Sequence, residues 1–441
     1  MKRLIAFIGF ILSFVPNAVL ADSFDIQDFY LKNGLQVVVL ENHKAPIVKQ
    51  MLFYKVGAAD EKKGKGGIAH LLEHLMFRGT TKVKSTDFNK LSEKNGVESN
   101  AFTSQDVTAY HQLADISKLE LLMLLEADRM QNLKLNEDDF VTERDIVFQE
   151  RKQRVDNNPS AKFFEMVNNV LWQEHPYANP VTGYDDEIMG LSKDDALDFY
   201  NNFYVPNNAL LVLAGDIDVI TAKKLAEKYY GKLKRKEVKS VAAKKLTDNY
   251  KAQLEVELPG VKLGRLLKIA AVPSFGQDVK KAFAFEVLSS YLGGDENSPL
   301  YQKLVLREKN ALSVSAYYEG ISKSYGKFVF SMVPTGKPDL KDEKYLLRAF
   351  DFAMNNFNEA ELENVKNKML AELDYAKDNP ESFAMMVGWS MAIGVKPDVL
   401  RNYAQNIKQV TIDDVREAAD FVRNKAPSVV GMLYPEEVSD E

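Results

Sequence analysis

The same helix-then-strand pattern occurs twice in the chain, and this repeat constrains the fold more than any other feature. Ser192 begins a run with two acids and an amphipathic helix, which leads into the apolar strand 209–214. Thr411 begins a matching run that leads into 428–433, so the helix start and the strand start are each displaced by 219 positions. Serine and threonine are favoured helix N-caps, and acids suit a helix amino terminus. The repeat predicts two halves of similar plan.

A polar linker is expected between the two halves. Residues 232–249 are rich in lysine and poor in aromatic residues, which is typical of a solvated segment. Strand-like runs alternate with amphipathic helical runs on both sides of the linker, which predicts the α+β class, with a β-sheet and packed helices in each half. We therefore predict domains at residues 22–231 and 250–441. A chain of 441 residues with 46% hydrophobic content is sufficient for two cores.

The amino terminus has the three-part layout of a secretory signal peptide. Lys2 and Arg3 precede a mostly apolar run at 4–15, and Ala18 and Ala21 provide small residues for cleavage. A retained membrane anchor is the alternative, but this run is too short to cross a bilayer about 30 Å thick. We expect residues 1–21 to be removed and the mature chain to be periplasmic or secreted, without a stable membrane anchor.

Charge and cysteine content exclude several classes of function. The formal net charge is −6, which argues against a nucleic-acid binder held by phosphate contacts. The chain has no cysteine, which excludes disulfides, thiolate zinc sites, iron–sulfur clusters and cysteine nucleophiles. Histidine and carboxylate side chains remain as candidate metal ligands.

Two of the five histidines lie four positions apart in a segment that is predicted to be helical. His70 and His74 would share one helix face, from which both imidazoles can bind one metal ion. Glu73 borders that face, where it could accept a proton from a metal-bound water without being a ligand. The pattern is fairly specific in a chain so poor in histidine, although a surface pair of histidines is the alternative. Catalytic zinc usually has three protein ligands, so a third is needed.

A helix predicted at 136–155 offers the missing carboxylate. Glu143 and Glu150 lie seven positions apart and share a face with Ile146 and Val147, so this face is expected to be partly buried. Buried carboxylates need a partner or a metal. The spacing alone leaves open that both acids are solvated or are paired with the neighbouring bases, which are Arg144, Arg151 and Lys152.

His70, Glu73 and His74, followed by Glu150, resemble the inverzincin signature of the pitrilysin-like metallopeptidases, peptidase family M16. The resemblance extends over most of the mature chain. Its further segments are 67–80, 100–103 with Thr108 and Tyr110, 143–150, and 204–208. Two halves in a chain of this length are similar to the mitochondrial-processing-peptidase-type subfamily, and imply that the two domains form half of a clamshell.

The resemblance implies an exported zinc-dependent endopeptidase that cleaves unfolded or extended peptides. The Zn²⁺ ligands that it implies are His70, His74 and Glu150. The catalytic residues that it implies are Glu73 as general base and Glu143 as a supporting acid. The substrate-binding residues that it implies are Asn100, Ala101 and Phe102, on an edge strand that pairs with an extended peptide, and Arg307. A zinc hydrolase for a non-peptide substrate fits this edge strand less well.

One position departs from the pattern of the family. The family has an arginine and, seven residues later, a tyrosine, which act on the substrate and the tetrahedral intermediate. Arg307 is present here, but Val314 occupies the tyrosine position and cannot donate a hydrogen bond to an oxyanion. A shift of strand register would let Tyr317 or Tyr318 take this role.

The departure leaves three arrangements open. A register shift would let the chain work alone. A homodimer, or a heterodimer with a related subunit that supplies the arginine–tyrosine pair, would complete the site. In the third arrangement the chain is a non-catalytic assembly subunit. Outside the motif, we expect His43, His111 and His175 to be structural or exposed, and residues 61–65 to form a solvated loop.

Overall fold

The structure is a computed structural model that describes residues 24–84, 87–239 and 245–436. The predicted signal peptide at 1–21 and part of the predicted linker lie outside the described residues. The strands of the first sheet are β1 (Gln27–Tyr30), β2 (Gln36–Glu41), β3 (Ile47–Tyr54), β4 (Glu98–Thr103), β5 (Thr108–Asp115) and β6 (Ala209–Gly215). The strands of the second sheet are β7 (Lys251–Glu257), β8 (Arg265–Pro273), β9 (Ala311–Glu319), β10 (Tyr325–Pro334) and β11 (Ser428–Tyr434).

Helices connect the strands of each sheet. Those before β7 are α1 (Ile68–Leu75), α2 (Asp87–Lys94), α3 (Leu119–Asn132), α4 (Glu137–Arg151), α5 (Pro159–Trp172), α6 (Asp185–Met189), α7 (Lys193–Phe203) and α8 (Val219–Tyr229). Those after β8 are α9 (Val279–Gly293), α10 (Pro299–Tyr301), α11 (Leu340–Asn356), α12 (Glu359–Asp378), α13 (Pro380–Ala392), α14 (Pro397–Arg401), α15 (Tyr403–Gln409) and α16 (Ile412–Asp420). None of the helices within the described ranges combines the length and the apolar character of a membrane-spanning segment.

The two sheets have the same strand arrangement once β1 is set aside. The first sheet has the order β1-β2-β6-β3-β5-β4, and the second has the order β7-β11-β8-β10-β9. In the first sheet β2 pairs in parallel with β6, and in the second sheet β7 pairs in parallel with β11. Strands β6 and β11 are the last strands of their halves. The other corresponding neighbours are antiparallel. The predicted α+β class, with two similar halves, is confirmed.

The helix-then-strand units that revealed the repeat begin as predicted. Ser192 caps α7, and its hydroxyl accepts a hydrogen bond from the main-chain N–H of Asp195 at 3.2 Å. Thr411 caps α16 in the same way, with Asp414 as donor at 3.1 Å. Each aspartate returns a bond to the N–H of its cap residue, which completes a capping box. These helices lead into β6 and β11, whose first residues are Ala209 and Ser428.

Each half also contributes a helix to the sheet of the other half. Val167 of α5 is buried in one cluster with Val429 of the second sheet. Val387 of α13 is buried with Phe53 of the first sheet. A Cβ atom at Gly388 would lie only 2.2 Å from the Phe53 ring, so this helix approaches β3 too closely for a larger residue. The exchange packs the two halves into one continuous structure.

A polar contact joins the turns at the edges of the two sheets. Asp106, in the β4–β5 turn, is buried and accepts a hydrogen bond from Tyr177 Oη at 2.5 Å. The same carboxylate oxygen accepts a bond from the main-chain N–H of Lys323, in the β9–β10 turn, at 2.9 Å. Lys323 Nζ donates to the Asp106 carbonyl at 2.9 Å. These bonds fix the carboxyl end of β4 against the second half.

Candidate metal centre and active site

Helix α1 begins at a tightly constrained backbone position. Gly67 is its N-cap, with φ of 85°, and a Cβ atom there would lie 2.9 Å from the Thr182 carbonyl oxygen, so glycine is required. The carboxylate of Glu61 accepts hydrogen bonds from the N–H groups of Gly67 at 3.1 Å and Ala69 at 2.9 Å. Glu61 is only 4% exposed, so the prediction of a solvated loop at 61–65 is wrong at this residue. A carboxylate at a helix amino terminus satisfies free N–H groups and suits the helix dipole.

The apolar side of α1 anchors the two motif histidines. Leu71, Leu72 and Leu75 are fully buried in the core of the first half. His70 and His74 lie on the opposite side, with their ring centroids 4.9 Å apart and their planes at 82°. The predicted helix thus presents both imidazoles together.

Glu150 of α4 completes a group of three metal-binding side chains. His74 Nε2 lies 3.4 Å from Glu150 Oε2, and His70 Nε2 lies 3.8 Å from Glu150 Oε1. One ligand atom from each residue lies within 4.8 Å of the other two. The structure therefore brings His70, His74 and Glu150 together as predicted.

Glu143, seven residues before Glu150 on the same face of α4, orients His74. Its Oε2 lies 2.9 Å from His74 Nδ1, and its Oε1 accepts a hydrogen bond from Arg78. Burial opposes ionisation of Glu143, but the bonds from His74 and Arg78 hold the pKa of this carboxyl below its usual range. An ionised carboxylate only accepts hydrogen bonds, so Nδ1 carries a hydrogen, and Nε2 is the nitrogen that faces Glu150 and would bind a metal ion there after losing its proton.

The site is electrostatically suited to a cation. Burial lowers the pKa of His70 to about 4, which keeps this imidazole neutral at pH 7. Burial opposes protonation of His74, but hydrogen bonds to Glu143 and Glu150 raise its pKa to about 9. The hydrogen bond from His74 holds the pKa of Glu150 below its usual value. Without a metal ion, His74 therefore carries a proton between two carboxylates, and a bound cation would take the place of that proton.

This donor set fits zinc. Two imidazoles and one carboxylate are the three protein ligands of one common class of catalytic zinc site, in which further coordination positions stay open. The hydrogen bond from His74 to Glu143 is the outer carboxylate–histidine arrangement that orients such ligands. His70, His74 and Glu150 would hold the ion.

Glu73 lies beside the cluster and is held by the edge strand. Its Oε2 accepts a hydrogen bond of 2.5 Å from Thr103 Oγ1, at the last residue of β4. Burial raises the pKa of Glu73, which makes its carboxylate a stronger base than an exposed glutamate. The predicted general base therefore has a position and an environment that suit proton transfer.

The predicted substrate strand is the outermost strand of its sheet. In the described residues, β4 pairs only with β5, in a register that places Ala101 opposite Tyr110. The Phe102 ring stacks on Trp389 of α13, with centroids 4.9 Å apart. The Phe102 side chain is therefore engaged in the contact between the two halves.

A cavity of about 530 Å³ lies between the two halves and begins at the carboxyl end of β4. Thr103, which binds Glu73, and Val155, which follows the metal-ligand helix, both line it. Much of its wall is aromatic, and the aromatic residues that line it are Phe164, Trp172, Tyr177, Tyr325 and Trp389. The cavity is within the size range of small-molecule binding sites and is next to the candidate catalytic residues.

Val314, at the position of the family's tyrosine, is buried. Val314 is 7% exposed and packs in the core on the same face of β9 as Tyr318, whose hydroxyl donates to the Pro273 carbonyl at 2.6 Å. Tyr317 points to the opposite face. In the described residues, no hydrogen bond or ion pair joins Arg307 to the metal cluster. The structure does not bring Arg307 and position 314 to the metal centre of the same chain by any such contact.

Two basic residues of the site were not predicted from the sequence. Arg78 binds Glu143, and Arg154 Nη1 lies 2.6 Å from Glu150 Oε1. A signal was available for Arg154, which lies four positions after Glu150 within the predicted helix 136–155. Arg78 lies beyond the end of α1, and no helix spacing relates it to Glu143. The alternative partners proposed for Glu143 and Glu150 were therefore the wrong bases.

Other sequence predictions had mixed outcomes. Val147 of α4 is buried, but Ile146 is 43% exposed, so the buried stripe is narrower than expected. His43 is exposed and its Nδ1 lies 2.7 Å from Asp216. His175 is buried beside Tyr177, and His111 lies on β5. In the part of the chain that the structure describes, none of these three histidines belongs to a group of metal ligands.

Comparisons with known families agree with this geometry. Residues 36–185 match the family described as Insulinase (Peptidase family M16), and residues 190–369 match the family described as Peptidase M16 inactive domain. The chain is 30% identical over 412 residues to the zinc protease PqqE of Helicobacter pylori, with 91% of each chain covered. It is 25% identical to an uncharacterized zinc protease of Mycobacterium leprae, over 90% of this chain and 88% of that protein.

Solved structures share the architecture. A protease from Helicobacter pylori superposes with a TM-score of 0.86 at 27% identity, over 93% of this chain and 99% of that chain. The periplasmic protease PqqL from Escherichia coli has a TM-score of 0.78 at 17% identity, over 93% of this chain and 48% of that chain. A structure titled as a peptidase M16 inactive domain from Pseudomonas fluorescens has a TM-score of 0.83 at 15% identity, over 94% of this chain and 98% of that chain. The last two comparisons concern the fold alone.

Proposed function

Because the chain belongs to peptidase family M16, we propose that it is an exported zinc-dependent endopeptidase that cleaves extended peptides. The observation that carries this proposal is the joint placement of His70, His74 and Glu150 around one position, with Glu73 beside them. Three ligands alone fit many zinc hydrolases. A partly buried carboxylate, Glu73, adds at the same site the base that hydrolysis requires.

The residues of the site have distinct roles in the proposed reaction. Zinc, when bound by His70, His74 and Glu150, would polarise the scissile carbonyl and lower the pKa of a water molecule. Glu73 accepts the proton of the attacking water and later delivers it to the leaving amine. We assign this transfer to Glu73 Oε1, since Oε2 is engaged by Thr103. Glu143 keeps His74 in the tautomer that presents Nε2.

The edge strand supports a peptide substrate. An extended peptide can add to the open side of β4 by main-chain hydrogen bonds, and its residues would then pass the metal centre. Asn100 and Ala101 lie on this strand, where Asn100 Oδ1 accepts a hydrogen bond from the Ala101 N–H at 2.8 Å. The cavity beyond Thr103 offers space for side chains of such a peptide. A folded protein could not present the extended segment that this arrangement requires.

A second function is favoured by one specific observation. Val314 replaces the tyrosine of the family pattern and is buried in the core, so the chain lacks that hydrogen-bond donor for an oxyanion. We therefore keep a non-catalytic partner or assembly subunit as the alternative. If the chain is catalytic, we propose that it works as a heterodimer with a related subunit that contributes the arginine–tyrosine pair, or as a homodimer, in which the partner copy also has Val314 and supplies the arginine without the tyrosine.

Export is part of the proposal. It is supported by the signal-peptide pattern at residues 1–21. The chain also has no cysteine, so it cannot form wrong disulfides in an oxidising compartment. We propose a periplasmic or secreted location, with 22–231 as the zinc-binding half and 250–441 as the second half of the mature chain.

The test is cleavage of a library of quenched unstructured peptides by the purified, zinc-loaded protein. The matched control is Glu73→Gln, which keeps the shape of the side chain and cannot accept the proton. Activity that the control lacks supports a peptidase that works without a second gene product. A folded, zinc-loaded protein that is inactive alone, but active after addition of a related subunit, supports the two-component enzyme. Inactivity in both cases would leave the assembly role as the better account.

A further inference from the structure

We propose that Thr103 is a positioning residue that couples addition of a peptide strand to placement of the general base. The inference rests on the proposed function, since it concerns the base of that reaction. Thr103 belongs to two structures at once, because its main chain ends the edge strand β4 and its hydroxyl binds Glu73.

The hydrogen bond between Thr103 and Glu73 is short, and both side chains are partly buried. Thr103 Oγ1 donates to Glu73 Oε2 at 2.5 Å. Neither side chain is exposed, and a hydrogen bond to a carboxylate is worth more where water is scarce. The bond leaves Oε1 as the oxygen that can turn toward the metal centre. Thr103 thus fixes which oxygen of Glu73 acts as the base.

The main-chain groups of Thr103 face the open side of the strand. The Ala101 N–H bonds to Asn100 Oδ1, so it is not directed at β5, whereas the Ser104 N–H bonds to the Val107 carbonyl inside the hairpin. Main-chain groups alternate in direction along a strand, so those of Thr103 point outward with those of Ala101. A peptide that adds to β4 therefore binds the same residue that holds the base.

The main chain that follows Thr103 is fixed by hydrogen bonds from neighbouring segments. The Ser104 carbonyl accepts a hydrogen bond from the Ala58 N–H at 3.0 Å, and the Gln105 carbonyl accepts one from the Ala59 N–H at 2.9 Å. The Asp106 carboxylate is bound by Tyr177 and Lys323. With the turn fixed on one side and a peptide paired on the other, the main chain of Thr103 can move little. The Glu73 carboxylate is restrained with it, because it is hydrogen-bonded to the Thr103 hydroxyl.

The experiment compares Thr103→Val with Thr103→Ser in the zinc-loaded protein. Valine keeps the branched shape that suits a strand and removes the hydroxyl, whereas serine keeps the hydroxyl. We expect kcat to fall about tenfold to a hundredfold in Thr103→Val, with KM within about threefold of the unmutated protein. Thr103→Ser is expected to retain most of kcat. Thr335→Val, at an exposed threonine of the second half, is the matched control and should leave both parameters unchanged.

Zinc content and thermal unfolding are measured for every variant, so that misfolding or metal loss is not mistaken for the effect. Equal losses in Thr103→Val and Thr103→Ser, a rise of KM at constant kcat, or an unchanged kcat would each overturn the proposal.

A structural measurement separates failure of this inference from failure of the proposed function. Crystal structures of the unmutated protein and of Thr103→Val show where the Glu73 carboxylate lies, whether or not the protein cleaves peptides. We expect the carboxylate to leave its position, or to occupy two positions, in the variant. A Glu73 side chain that stays in place without the hydroxyl would overturn the positioning role, even if the protein is an active peptidase. An inactive protein in which Glu73 moves would contradict the function and leave the positioning role standing.

Discussion

His74 Nδ1 lies 2.9 Å from Glu143 Oε2, while Nε2 of the same ring lies 3.4 Å from Glu150. One imidazole is therefore held between two carboxylates of the same helix, seven residues apart. The inner carboxylate is a candidate metal ligand, and the outer one fixes the tautomer. Sequence spacing placed both acids on one helix face, but the division of their roles depends on which nitrogen each one meets.

Replacement of Glu143 should weaken metal binding without removing a ligand. In Glu143→Gln the amide no longer stabilises positive charge on His74, and its orientation is set by Arg78 as well. We expect zinc affinity to fall about tenfold to a hundredfold, as for other outer-shell partners of metal-binding histidines. Competition with a chromophoric chelator measures this. Glu137→Gln, at an exposed acid in the first turn of the same helix, should leave the affinity unchanged.

Glu61 should stabilise the motif helix from its amino terminus. Glu61→Ala removes two hydrogen bonds to the N–H groups of Gly67 and Ala69 and leaves these groups without that partner in a buried place. We expect the free energy of unfolding to fall by about 1–3 kcal/mol, measured by chemical denaturation. Asp248→Ala, at an exposed acid of the linker region, is the control. Equal stability of Glu61→Ala and the unmutated protein would contradict the capping role.

The second half should contain a source of pH-dependent stability at Glu286. Burial raises the pKa of this carboxyl to about 7, and its Oε2 accepts a hydrogen bond from Tyr403 Oη at 2.7 Å. The folded state thus keeps a proton that the unfolded state releases near pH 4.5, so this contribution is fully present below pH 4.5 and is lost as the pH rises through 7.

Glu286→Gln should remove this dependence, because the amide stays neutral at every pH. Relative to the unmutated protein, we expect the variant to gain on the order of 3 kcal/mol of stability between pH 4.5 and pH 8. Denaturant unfolding at several pH values measures the difference. Glu296→Gln, at an exposed acid, should show no such gain. A variant whose stability follows the unmutated protein across this range would show that Glu286 is not the titrating group.

Restoring the family tyrosine at position 314 should destabilise the protein. Val314 is buried, and the strand that carries it is closely packed, since a Cβ atom at Gly293 of α9 would lie 2.1 Å from the Ala316 nitrogen. We expect Val314→Tyr to lower the free energy of unfolding by about 1–3 kcal/mol through overpacking. Val314→Ile, which adds one methylene, should cost less. A stable, more active Val314→Tyr protein would instead show that this position can open toward the substrate.

Much of the site could be predicted from the sequence because it depends on local spacing. His70 and His74 are one helical turn apart, and Glu143 and Glu150 are two turns apart, so their faces follow from helix geometry alone. The repeat was visible because each half uses the same capped helix before its last strand. Glu61 could not be predicted, because a glutamate in a lysine-rich run is normally solvated, and only tertiary packing brings it to the start of α1.

The contacts between the halves also escaped prediction, for a similar reason. The ring of Phe102, on the predicted substrate strand, stacks on Trp389, almost three hundred residues later in the chain, and no local pattern indicates this contact. The sequence does not show that α5 and α13 each pack on the sheet of the other half. A helix has the same apolar stripe whichever sheet it covers. Pattern arguments therefore locate elements and shared faces, but not which half a face packs against.

The location of bound zinc tests the central claim most directly. Crystals of the zinc-loaded protein, measured on both sides of the zinc absorption edge, give an anomalous difference map. The account predicts one strong peak in contact with His70 Nε2, His74 Nε2 and the Glu150 carboxylate, and its loss in His74→Ala. A folded protein with no peak there after zinc loading, or with zinc bound only elsewhere, would contradict it.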